Sequence, residues 1–139
     1  MIITKKEIIE AINTEPLSPG YFCKIRPGGE CTVCAVGAVF RKKGMPQQED
    51  RIERYGDAGH TLTKWRCGPD ESLSDARASQ EWLSVLSIKF EKLCEKAEGE
   101  YAFMGGLSPK SLQRVRKELT AYVKRYFPEQ IEVPLEKYL

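Results

Sequence analysis

Cys31-Thr32-Val33-Cys34-Ala35-Val36-Gly37-Ala38-Val39-Phe40 is a run of small and apolar residues closed by Arg41-Lys42-Lys43-Gly44, and the architecture of the whole chain turns on it. Periodicity alone does not separate a buried strand from a buried helix in such a run. Its length, its alanines and glycine, the three terminal cations and Gly44 at the stop position favour a helix from Cys31 to Lys43, because cations and a left-handed glycine both suit a helix C-terminus. A helix that is apolar all round must be covered on most sides, which places it at the centre of the fold.

Upstream, Thr4-Lys5-Lys6-Glu7 has capping-box spacing, and predicts a helix over about 5–13 with Ile8, Ile9, Ala11 and Ile12 on one face. Pro16 and Pro19-Gly20 stop it. Residues 21–25 read as a short strand or an extended connection before the turn Arg26-Pro27-Gly28-Gly29. Downstream, residues 45–70 show no sustained period and are expected to form a long surface loop, a feature that invites a functional or metal-bound explanation. Ser72 or Ser74 then begins the longest predicted helix, running to about Ala97 before Gly99 along the core line Ser79, Leu83, Leu86, Phe90, Leu93 and Ala97. Trp82, Val85 and Ile88 widen its apolar surface, so its first half is either buried on two sides or offered to a partner. Ser108-Pro109 starts a last helix to Phe127, burying Leu112, Val115, Leu119, Tyr122, Val123 and Tyr126. Beyond Pro128 an extended tail, 128–139, alternates Ile131, Val133 and Leu135.

The expected fold is therefore a mainly α single domain over 1–139, with about four helices around a central apolar helix and at most a minor β element from 21–25 and 131–135. A chain of 139 residues with 41% hydrophobic and 30% charged residues can bury a core without staples. Lys and Arg number 22 against 20 Asp and Glu, so the global balance marks neither a nucleic-acid protein nor an enzyme for acidic substrates. The first residues lack the apolar core of a signal peptide and no stretch nears eighteen apolar residues, so the chain reads as cytoplasmic with no membrane partner.

Chemistry-bearing residues cluster in one place: Cys23, Cys31, Cys34, His60 and Cys67. Cys31-x-x-Cys34 lets two thiolates reach one tetrahedral zinc, and a second pair drawn from Cys23, His60 and Cys67 would complete the site. The alternative is that Cys34 is an apolar core residue. Five cysteines, irregularly spaced, point to thiols or metal ligands rather than a disulfide framework. A redox pair is disfavoured by Glu30 beside Cys31, since an anion opposes the thiolate. A Cys–His thiol enzyme would draw on the single histidine, His60, with Asp57 or Asp70 to orient it, although the Cys31–Ala35 stretch lacks the Gly, Ser and Trp of the papain-type motif. Gly28-Gly29 and Gly105-Gly106 lack the context of phosphate-binding loops.

Charge on the last helix is the other signal. At 100° per residue Lys110, Gln113, Arg114, Lys117, Lys124 and Arg125 share one arc opposite Leu119. Residues 110–127 hold six cations and one anion, Glu118, without the alternating signs that relieve repulsion on solvated helices. That face, through Lys110, Arg114, Lys117, Lys124 and Arg125, suits an acidic protein surface or a nucleic-acid complex.

Cys34-Ala35-Val36-Gly37-Ala38-Val39-Phe40-Arg41 resembles the Cys-Ala-x-Gly-Ala helix of small uncharacterised bacterial and phage proteins. The resemblance implies a packing pattern and no functional residue. It implies a context in which compact phage proteins bind and block host proteins, including defence nucleases. The leading expectation is a non-enzymatic interaction protein, phage-related and inhibitory. The alternatives are a small structural zinc-binding domain and a Cys–His thiol enzyme.

Overall fold

A computed structural model describes residues 1–19, 23–25, 31–44, 72–78, 80–99 and 107–133. In chain order these form β1 (Ile2–Thr4), α1 (Lys5–Thr14), β2 (Cys23–Ile25), β3 (Cys31–Val33), α2 (Ala35–Lys42), α3 (Leu73–Ala78), α4 (Trp82–Glu98), α5 (Pro109–Tyr126) and β4 (Gln130–Glu132). The protein is mainly helical with a minor β component. Residues 45–70, expected as a long loop, and the tail beyond 133 lie outside the described residues.

The predicted central helix holds its place but not its start. Ala35 to Phe40 are all buried, whereas Cys31–Val33 is a strand and Cys34 is the N-cap, its Sγ accepting the Gly37 N–H at 3.4 Å. The apolar run contains two elements because Val33 has backbone partners elsewhere: it donates to Pro16 O at 3.0 Å and accepts from Ser18 N at 2.8 Å, while β3 pairs antiparallel with β2. Local composition cannot register those distant partners. Gly44, at φ +72°, ends the helix as its position in the sequence suggests.

α1 begins with the expected capping box, in which Thr4 Oγ1 accepts from the Glu7 N–H and the Glu7 carboxylate accepts from the Thr4 N–H. It packs on α2, and the three cations that close α2 each meet a glutamate on or beside α1: Arg41 with Glu15 at 3.1 Å, Lys42 with Glu10 at 3.7 Å, and Lys43 with Glu7 at 2.7 Å. β1 and β4 form an antiparallel ladder with Ile3 opposite Ile131, which brings Met1 and Val133 into mutual hydrogen bonds. The strand expected at 131–135 thus exists at Gln130–Glu132, paired with the N-terminal segment.

The long helix expected from Ser72 or Ser74 to Ala97 is two helices. Gln80 adopts φ 61°, Glu81 N–H reaches Ala76 O at 2.9 Å and Gln80 N–H reaches Arg77 O at 3.1 Å, the two bonds of a Schellman stop. Glutamine rather than glycine occupies the left-handed position, so the break left no compositional mark, and the described helices number five instead of four. Leu83, Leu86, Phe90 and Leu93 are buried along α4 as the periodicity requires. Val85 is buried too, and Trp82 packs against Phe127 with the rings tilted by 50° and their centroids 4.9 Å apart, so the first half of α4 is covered on a second side by the protein itself. α5 carries its Ser108 cap on the Ser111 N–H and buries Val115, Leu119 and Val123 against α1 and α4. These elements enclose one apolar core in which Val36, Val39, Phe40, Phe90 and Leu119 are at most 1% exposed, each contributing about 1.5–3 kcal/mol of transfer free energy.

Candidate functional site

Of the five proposed thiol and imidazole ligands, Cys23 and Cys31 lie on the paired strands β2 and β3, with Cys23 opposite Val33 and Ile25 opposite Cys31. His60 and Cys67 lie outside the described residues. Cys34 is enclosed in the core, where burial pushes its thiol up to about 12 despite the Gly37 N–H that would favour a thiolate. Such a thiol is a poor nucleophile and a satisfied helix cap. Cys94, which sequence spacing did not associate with the others, is also buried and free, close enough to Cys34 and Glu91 for both to raise its thiol pKa further beyond what burial does. The packing of α2 on α4 creates that proximity across sixty residues of sequence, where no spacing rule reaches. Among the described residues no three His, Cys, Asp or Glu side chains are grouped as ion ligands.

The basic arc has a clearer outcome. Lys110, Gln113, Arg114, Lys117, Lys124 and Arg125 are all exposed on α5, opposite its buried line through Leu119. Arg114 lies 3.8 Å from Glu118, an exposed i,i+4 pair worth a few tenths of a kcal/mol, and Glu118 is shared with Lys96. Arg125 stands over the Tyr126 ring, 5.1 Å from its centroid. Lys110, Lys117 and Lys124 have no carboxylate within ion-pair distance among the described residues. This contrasts with Arg41, Lys42 and Lys43, each of which faces a glutamate.

The sixth cation of the helix has a different role. Arg116 turns toward α1 and donates to Ile12 O at 3.0 Å and Glu15 O at 2.6 Å, the carbonyls at and beyond the end of that helix. α1 has no cation in its own last turn, so Arg116 supplies the positive charge its C-terminus lacks. Asn13 Nδ2 bridges from Ile9 O to Thr120 Oγ1 beside it. An open groove of about 590 Å³ follows this seam, lined by Asn13, Arg116, Lys117, Thr120, Ala121 and Lys124 with Gln113 at its end. The contribution of α1 could not be read from the sequence. The small residue Ala121 between Lys117 and Lys124 could have been, because it continues their helical line.

No described helix is long and apolar enough to cross a membrane. Compared with protein-family models, with curated proteins and with solved structures, the chain matches none.

Proposed function

We propose that the chain is a non-enzymatic interaction protein that docks the basic face of α5 on an acidic surface of its partner. The observation that supports this reading is the set of three exposed lysines, Lys110, Lys117 and Lys124, along one face of α5, none within ion-pair distance of a carboxylate among the described residues, whereas the three cations that close α2 each meet a glutamate. The arrangement opposes helix stability. Lys110 and Arg114 repel at i,i+4, Arg114 and Lys117 at i,i+3, and Lys110 sits in the first turn, where the helix dipole favours an anion. A partner's carboxylates would relieve all three conflicts and would steer encounter at low salt.

The resemblance of residues 34–41 to small bacterial and phage proteins supplies the context: a cytoplasmic inhibitor that covers part of a host protein or nucleic-acid-associated complex. The test uses poly-L-glutamate as an acidic protein-like probe at about 50 mM salt. Wild type should bind it with an affinity that falls steeply with salt. Lys117→Glu/Lys124→Glu, with unchanged far-UV circular dichroism, should not bind. Absence of wild-type binding would refute the reading.

A further inference from the structure

Lys110, Arg114, Lys117, Ala121 and Lys124 follow the spacing i, i+4, i+7, i+11, i+14, and all five are exposed on α5. That is the four–three alternation of a heptad seam. At 1.5 Å per residue the three lysines recur about every 10.5 Å, and the stripe is about 21 Å long with a drift of only about 20° per heptad. Resting on the function proposed above, we infer that the seam receives an acidic helix of a partner protein, lying along α5 with its carboxylates at the same heptad spacing.

Four features favour a helix over a phosphate backbone. Two straight helices packed near-parallel share the 10.5 Å period, so each lysine meets one carboxylate without distortion. Ala121 leaves a low point in the middle of the stripe, and the groove beside it, bounded by Asn13 and Thr120, offers room for a partner's side chains. Acidic residues border the stripe: Glu118 lies beside Arg114, and Glu129 lies 3.4 Å from Lys5, whose ammonium donates to Lys124 O at 3.2 Å. A continuous track of phosphates would meet these border anions, whereas a helix can place its carboxylates opposite the lysines and neutral or basic residues opposite the glutamates, which sets register and orientation. The stripe also carries no aromatic side chain on which bases could stack.

The experiment compares two synthetic alanine-based helical peptides of about 21 residues with the same composition. One carries Glu along a single four–three seam, and the other distributes the same Glu residues around the helix. The seam peptide should bind about tenfold tighter, the difference expected from a few aligned exposed pairs. Lys117→Glu/Lys124→Glu should lose that binding with its far-UV circular dichroism and unfolding midpoint unchanged, which excludes misfolding as the cause of the loss. Equal binding of the two acidic peptides would overturn the helix inference while leaving the acidic-surface reading intact. Tighter binding of a 21-base-pair DNA duplex than of the seam peptide would overturn it in favour of nucleic acid. Self-association that the two reversals abolish would assign the seam to a second copy and overturn it as well. If neither peptide nor poly-L-glutamate binds, both readings fail.

Discussion

Glu7 joins two helices through one carboxylate, and its replacement by glutamine isolates the charge. The Glu7 side chain accepts from the Thr4 N–H at 3.1 Å, from the Thr4 hydroxyl at 3.0 Å and from the Lys43 ammonium at 2.7 Å. Lys43 is the main reason its carboxyl titrates below the ordinary range, and the Thr4 N–H adds to the effect. Glutamine keeps an oxygen for Thr4 but loses the ion pair and the favourable anion in the first turn of α1. The Glu7 and Lys43 side chains are 31% and 22% exposed, so solvent screening limits the pair to about 0.5 kcal/mol, and the dipole interaction adds about 0.5 kcal/mol. Glu7→Gln should therefore cost about 1 kcal/mol at pH 7, a fall of about 3 °C in Tm for a chain of this size. The folded pKa is depressed, so the stabilisation is fully present above the unfolded value of about 4.3 and is lost as pH falls through the folded value. Urea unfolding followed by circular dichroism should show the wild-type advantage at pH 7 and its decline below about pH 4. Combined with Lys43→Met, the two substitutions should be non-additive by about 0.5 kcal/mol. A deficit of equal size at pH 7 and pH 3, or strict additivity, would refute the carboxylate–ammonium tie between α1 and α2.

Arg116→Met should cost about 1–3 kcal/mol in chemical denaturation, because Ile12 O and Glu15 O lose a charged donor, while leaving poly-L-glutamate binding intact; a loss of binding at unchanged stability would move Arg116 from scaffold to interface. At Gln80, glycine should leave stability within about 0.5 kcal/mol, since relief of the left-handed backbone and added unfolded-state entropy offset each other, whereas valine should cost about 1 kcal/mol or more. Equal unfolding midpoints for the two variants would argue against the Schellman stop. Cys34 and Cys94 should resist iodoacetamide in the native protein at pH 8 and react on unfolding, as expected of enclosed thiols with raised pKa values; rapid native alkylation of either, located by mass spectrometry, would contradict the packing of α2 on α4.

Sequence alone determined the elements whose signals are local. The Thr4–Glu7 box, the Ser108-Pro109 start, the Gly44 and Gly99 stops and the outward basic arc of α5 follow from side chains a few residues apart, because caps and helical faces are set within one or two turns. Tertiary structure decided everything that depends on a distant partner. Cys31–Val33 became a strand because β2 and the Pro16–Ser18 segment satisfy its backbone. Two helices replaced one because a glutamine accepted a left-handed conformation held by hydrogen bonds to Ala76 and Arg77. Among the described residues the cations that close α2 found glutamates on or beside α1, whereas Lys110, Lys117 and Lys124 of α5 have no carboxylate within ion-pair distance. Composition counts charges, but only the packing of helices determines which of them are neutralised and which are left facing solvent.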